Sequence, residues 1–184
     1  KIVDTPPMDA FLRVDEQPTL PLPSTTFVYG EQENILRLAE KCSGSGDCRK
    51  TELTGGTMCP SFMATREEQH STRARANALR SYFTRPAGER KEEVKQTLDL
   101  CLSCKACQTE CPSSVDITQM KADFLQHVYD REGIPLRSRL VGYFPLLMNW
   151  SQPFAILFNY LFETPWIRRI IHSLIGFHPD RSMP

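Results

Sequence analysis

Apolar positions recur at helical spacing in four stretches of this chain, separated by polar or glycine-rich segments. Ile35, Leu36, Leu38 and Ala39 give one apolar side, which predicts a helix over 31–41 running into Cys42. Thr65 followed by Glu68 has the pattern of a capping box and predicts a helix over about 66–83. Val94, Leu98, Cys101 and Leu102 share a stripe, predicting a helix over 89–102 with Cys101 fixed at its end. Asp116 with Gln119 marks a further start, where Val115 and Met120 have the spacing of a hydrophobic staple. That helix turns Ile117, Met120, Phe124 and Val128 inward and stops near Gly133, ahead of Pro135. Strand-like alternation is confined to a weak pairing signal around Phe27 to Tyr29. The expected fold is mostly α.

The remaining segments set the organisation. Five prolines (Pro6, Pro7, Pro18, Pro21, Pro23) precede Gly30, so 1–30 is expected to be an extended arm. The chain opens Lys1-Ile-Val-Asp, without Met or an apolar leader, and reads as a segment of something longer. Residues 43–60 are rich in Gly, Ser and Thr and are expected to be loop. Residues 140–162 carry no charged side chain over 23 positions, a length that reaches the membrane-span threshold. Pro145, Asn149, Pro153 and Asn159 interrupt that stretch, and two short helices broken near Pro153 fit it better. Docking on a neighbouring domain ranks first for this stretch. Trp150 and Trp166, near Arg168 and Arg169, make a peripheral membrane contact the second reading, ahead of a true span. The expected division is an arm at 1–30, a helical domain at 31–135 and an apolar helical extension at 136–184.

Charge narrows the function. Lys+Arg and Asp+Glu number 22 each, so the net charge is zero, without the basic excess that nucleic-acid binders carry. Seven cysteines leave one thiol over in any disulfide framework. With no secretory stretch in view, clustered thiols point to metal and to a reducing, cytoplasmic setting, at the inner face of a membrane if the tail docks there.

The cysteine spacing makes this specific. Cys101-x2-Cys104-x2-Cys107-x3-Cys111-Pro112 is an iron–sulfur run, in which the fourth Cys serves the other of two clusters. An earlier group holds Cys42, Cys48 and Cys59-Pro60. Crossed ligation then assigns Cys59, Cys101, Cys104 and Cys107 to one [4Fe–4S] cluster and leaves Cys42, Cys48 and Cys111 for a second. Three thiolates suit a [3Fe–4S] cluster, or a [4Fe–4S] cluster whose last iron takes water or the Ser45 oxygen. Oxygen is the poorer donor for this iron, and Ser45 reads first as a plain loop residue. Zinc held by four of these thiolates is the competing metal reading.

A family resemblance rests on these same residues. The runs from Glu40 to Lys50, Gly55 to Arg66, His70 to Arg80 and Leu98 to Cys107 closely resemble the iron–sulfur part of large FAD-linked oxidases, the fused D-lactate dehydrogenase and glycolate-oxidase-like proteins. The likeness covers roughly 36–130. It implies an α-helical ferredoxin-like domain, preceded by a flavin domain and followed by a cysteine-rich C-terminal domain, both of them partners within one parent chain. It further implies that electrons pass from reduced flavin through the clusters to an acceptor. FAD and the substrate site would then lie outside this chain, which shows no FAD motif and no catalytic residue of its own. Ser45 stands where many members of the wider ferredoxin group have Cys. The alternatives are a free-standing iron–sulfur subunit of a respiratory-type complex and a zinc-stabilised interaction module.

Other residues bear on such a site. Arg66, Arg73, Arg75 and Arg80 lie on or near one expected helix, either offsetting cluster charge or forming a solvated face with Glu67 and Glu68. His70 and His127 are candidate ligands, though single histidines on helices read first as surface or packing residues. Lys105, within the cysteine run, is expected to be exposed and available to steer a docking partner. Gly44, Gly46, Gly55 and Gly56 would permit either a close backbone approach to a cluster or ordinary turns.

Overall fold

The computed structural model describes residues 4, 7, 8, 22, 24, 27–30, 34–84 and 90–175. Most of the arm expected at 1–30, the first residues of the first helix (31–33) and the end of the tail (176–184) lie outside the described residues. All regular structure among the described residues is helical, and Phe27 to Tyr29 form no strand. Chain contacts divide the molecule into Lys1–Val128 and Tyr129–Pro184.

In the first unit, α1 (Ile35–Glu40) begins at Asn34, whose side chain accepts a hydrogen bond from the Arg37 amide. Such a cap satisfies one of the amides a helix start leaves unpaired. Ile35, Leu36, Leu38 and Ala39 are all buried, as their spacing requires. The 43–60 segment is not all loop: it turns through two single 3₁₀ turns, Asp47–Arg49 and Glu52–Thr54. A short helix, α2 (Pro60–Thr65), then starts on Pro60, where a missing amide costs nothing.

The expected start of the next helix is wrong. Thr65 ends α2 and donates to the Ser61 carbonyl, and Arg66 takes a left-handed conformation (φ 60°) that stops the helix. After a 3₁₀ turn at Glu68–His70, α3 (Thr72–Thr84) begins, with the Ser71 hydroxyl accepting from the Ala74 amide. A capping-box pattern names two residues and cannot say which nearby Ser or Thr the backbone will use. Here Ser71 wins because it is buried directly ahead of the apolar stripe.

α3 is the centre of the unit and packs on both α1 and α4 (Lys91–Asp99). Its inward face is Thr72, Arg75, Ala76, Leu79, Tyr82 and Phe83, a helical period with an arginine in it. α4 contributes Val94 and Leu98 but ends at Asp99. Cys101 therefore stands just past the helix, its amide bonded to the Leu98 carbonyl, and Leu102 is 71% exposed. The stripe over-reached by one turn because leucine was counted as core. After α5 (Ala106–Glu110), α6 (Ile117–Glu132) starts as expected: the Gln119 amide donates to Asp116 Oδ1 at 3.0 Å, and Val115 and Met120 are both fully buried. Tyr82 sits edge-on to Phe124 with centroids 5.2 Å apart, and Tyr29 donates to the buried Asp123 carboxylate. His127 is buried in ring contact with Tyr82 and Phe83, a packing histidine. Gly133 ends α6 in a left-handed conformation, as read from the sequence.

In the second unit, α7 (Leu136–Gly142), α8 (Phe144–Ser151), α9 (Ala155–Glu163) and α10 (Pro165–Ile175) follow one another closely. The break expected near Pro153 is a 3₁₀ turn at Gln152–Phe154. No described helix is long and apolar enough to cross a membrane.

Truncating the core should separate buried from exposed positions. Phe124→Ala should cost about 3–5 kcal/mol, whereas Leu53→Ala, at a position 90% exposed, should stay within about 0.5 kcal/mol. Urea unfolding of the two variants checks this.

Candidate metal centre

Cys59 caps the start of α2 in a left-handed conformation (φ 61°), and it is buried. A non-glycine residue pays for that conformation, so the surroundings must enforce it. They do so from three sides: Cys59 Sγ lies 3.2 Å from the His70 carbonyl, 3.5 Å from Thr72 Oγ1 and 3.4 Å from Arg75 Nη1. His70 itself is held by Thr65, whose Oγ1 is 2.8 Å from Nδ1. It serves the site through its backbone.

The second segment meets Cys59 there. Ser103 and Lys105 take positive φ (55° and 63°), which turns the chain tightly over 101–105 before α5. Cys59, Cys101, Cys104 and Cys107 thereby line one small pocket, with Arg75 and Ile117 also on its wall. Cys107 is buried, whereas Cys104 faces outward. Burial pushes the Cys107 thiol up to about 11, ahead of the smaller effects of Asp116, Cys101 and Cys59, while a hydrogen bond from the Ile117 backbone pulls the other way. That backbone group sits at the start of α6, where amides favour negative charge.

Cys42 and Cys48 lie near Cys59. Cys42 follows α1, and Cys48 is buried in the first 3₁₀ turn. Burial raises the Cys48 thiol most. The charges of Cys59 and Cys42 add to this, and hydrogen bonds from the Arg73 backbone and Ser71 oppose it. A Ser43–Ser113 hydrogen bond of 3.0 Å ties the loop after Cys42 to the loop after Cys111. Glu110, beside Cys111, accepts from the amides of Thr57 and Met58 and from the Thr57 hydroxyl at 2.6–3.0 Å. Those bonds hold its carboxyl below the usual range. They also explain Gly56: a Cβ there would meet Glu110 Oε2 at 2.7 Å, so the close approach is made by this carboxylate. Lys50, and after it Ser45, hold the Asp47 carboxyl below its usual range.

The arginines separate by role. Arg66 pairs with Glu52, and Arg73 pairs with Glu68 at 2.8 Å, both as surface residues. Arg75 is 2% exposed and donates to Thr97 O (3.0 Å), Ser61 Oγ (2.8 Å) and Cys59 Sγ (3.4 Å). Sequence reasoning grouped it with its neighbours. Its place on the α3 stripe with Ala76 and Leu79 is the signal that sets it apart. Glu110 went unnoticed, because nothing local in sequence links it to Thr57. Lys105 is exposed as expected, with Nζ 3.9 Å from Asp116 Oδ2.

The donor set fits an iron–sulfur cluster. All seven thiols are free of disulfides. Four of them, Cys59, Cys101, Cys104 and Cys107, line one pocket, and cysteine sulfur is the donor that iron–sulfur clusters take.

Residues 41–116, which span every cysteine, match the 4Fe-4S dicluster domain. Over that stretch the chain is similar to 4Fe–4S dicluster domains. It is similar to D-2-hydroxyglutarate dehydrogenase of Escherichia coli, 27% identical over 181 residues that cover 76% of this chain and 17% of that protein. The enzyme of the same name from Pseudomonas putida is 25% identical over 172 residues, covering 75% and 17%. The probable glycolate oxidase iron-sulfur subunit of Bacillus subtilis is 31% identical over 84 residues, 45% of this chain and 19% of the subunit. The chain thus spans less than a fifth of these curated relatives. No solved structure matches it.

The Cys107 thiol yields a pH prediction for the chain without metal. Its folded value of about 11 lies above the ordinary thiol value of 9.0. The neutral thiol therefore stabilises the metal-free fold below about pH 9, and this contribution is lost as pH rises towards about 11. Thermal unfolding of the metal-free chain should show that loss, and Cys107→Ala should show a shallower one.

Proposed function

We propose that this chain is the electron-relay part of an FAD-linked oxidoreductase that oxidises a D-2-hydroxy acid, with D-2-hydroxyglutarate the substrate its relatives' names suggest. The observation that carries the reading is the pocket in which Cys59 meets Cys101, Cys104 and Cys107 from a distant segment. Crossed ligation requires this meeting, and a plain Cys-x2-Cys-x2-Cys zinc knuckle has no use for it. In this reading Cys59, Cys101, Cys104 and Cys107 hold a [4Fe–4S] cluster, and Cys42, Cys48 and Cys111 hold the second. Ser45 is in this reading a loop residue rather than a ligand, oxygen being the poorer donor for this iron. A bound cluster supplies a one-electron store, which suits draining a two-electron flavin in single steps. The chain's own residues position and bury the thiolates and keep water from the inner ones.

The division at 1–30, 31–135 and 136–184 belongs to this reading too. The arm would lead from a flavin domain and the apolar tail towards a C-terminal domain, with FAD and the substrate outside this chain. The relatives are several times as long as this chain, which supports that arrangement. Free clustered thiols suit a reducing cytoplasm.

Anaerobic loading followed by iron, sulfide and zinc analysis tests the function. The expected outcome is roughly seven to eight irons with matching sulfide, and a reduced-state EPR signal. An EPR signal in the oxidised sample would mark the three-thiolate site as [3Fe–4S]. Zinc persisting in place of iron after anaerobic reconstitution would overturn the relay reading.

A further inference from the structure

We propose that Arg75 is the fixed positive charge that makes the site of Cys59, Cys101, Cys104 and Cys107 the easier of the two to reduce. This rests on the ligand assignment proposed above. Arg75 lies on the buried stripe of α3 and is 2% exposed. An arginine cannot shed its proton, so it stays charged wherever it is placed. Burying such a charge without a partner costs several kcal/mol. Among the described residues no carboxylate pairs with it. Its other two hydrogen bonds end on a neutral carbonyl and a neutral hydroxyl. The one contact able to carry negative charge is Cys59 Sγ, 3.4 Å from Nη1. Cys59 Sγ is thus the ligand sulfur that the buried guanidinium faces.

The effect is local. Arg49 and Arg73, the cations on the Cys48 side, share the single carboxylate of Glu68 at the surface, where solvent screens the charge left over. The carboxylate nearest Cys107, Asp116, is engaged at the start of α6 and faces Lys105. Arg75 is 2% exposed, pairs with no carboxylate among the described residues and faces Cys59 Sγ, in a buried place where a charge acts most strongly. Reduction adds one negative charge to the site, and the guanidinium favours that state. Hydrogen bonding to ligand sulfur works in the same direction. Arg75 is a positioning residue as well, since it joins α2, α3 and the end of α4, and the test must separate the two roles.

The experiment is an anaerobic EPR redox titration of the iron-loaded chain, comparing wild type with Arg75→Gln, Arg75→Lys and the exposed control Arg90→Gln. Arg75→Gln should weaken reduction of one cluster at least tenfold, about 59 mV for one electron, and leave the other cluster in place. Arg75→Lys, which keeps the charge, and Arg90→Gln, which makes the same change of net charge, should stay within about threefold of wild type on that scale. If Arg75→Gln instead loses one cluster while Arg75→Lys keeps both, the charge requirement also stands. An unmoved midpoint in Arg75→Gln overturns the proposal, as do equal shifts of both clusters. Equal shifts or equal iron loss in Arg75→Gln and Arg75→Lys would leave a packing role only. A wild type with full iron shows the ligand reading alive when Arg75 fails; zinc in its place overturns both.

Discussion

Sulfur that is to hold iron must be charged, and charge dislikes burial. The first unit is organised around that conflict. Cys59 and Cys107 are buried, and Cys59 meets a guanidinium and a hydroxyl while Cys107 meets a backbone hydrogen bond from the start of α6. None of these donors is adjacent in sequence to the thiol it serves. The helices must therefore be in place before the sulfurs are supported, which is why α3, rather than a cysteine loop, is the centre of the packing.

The hydrophobic pattern showed the helices well wherever burial and period coincide. α6 is the clearest case: cap, staple and inward face all follow from Val115 to Val128, because those positions are both apolar and buried. It misled at Leu102 and at Thr65. Leu102 is apolar but faces outward in the tight turn over 101–105, and Thr65 spends its hydroxyl on its own helix. The site was legible as a list of thiols, since spacing along the chain limits how sulfurs can be arranged. Their support was not, because Glu110 to Thr57 and Arg75 to Cys59 are contacts of tertiary structure with no local signature.

The tail follows a different logic. None of the described side chains from Tyr129 onward is buried, and large apolar groups such as Trp150 and Ile156 stand mostly in the open. A stretch of this kind gains little from its own folding, since apolar area counts only when it leaves water. Its short helices are broken where proline demands it, at Pro153 and again before Pro165. Their pattern was readable in the sequence for that reason alone, without a core to sharpen it.

The Glu110 clamp has a consequence for how the protein is made. Its carboxylate joins Thr57 and Met58 to a segment more than fifty residues later. Cys59 likewise shares its pocket with Cys101, about forty residues on. At roughly 5–20 residues per second of synthesis, Cys42, Cys48 and Cys59 emerge several seconds before the residues that enclose them. During that interval they are open thiols on an unfinished chain. A cluster inserted in that interval would find an incomplete set of thiols.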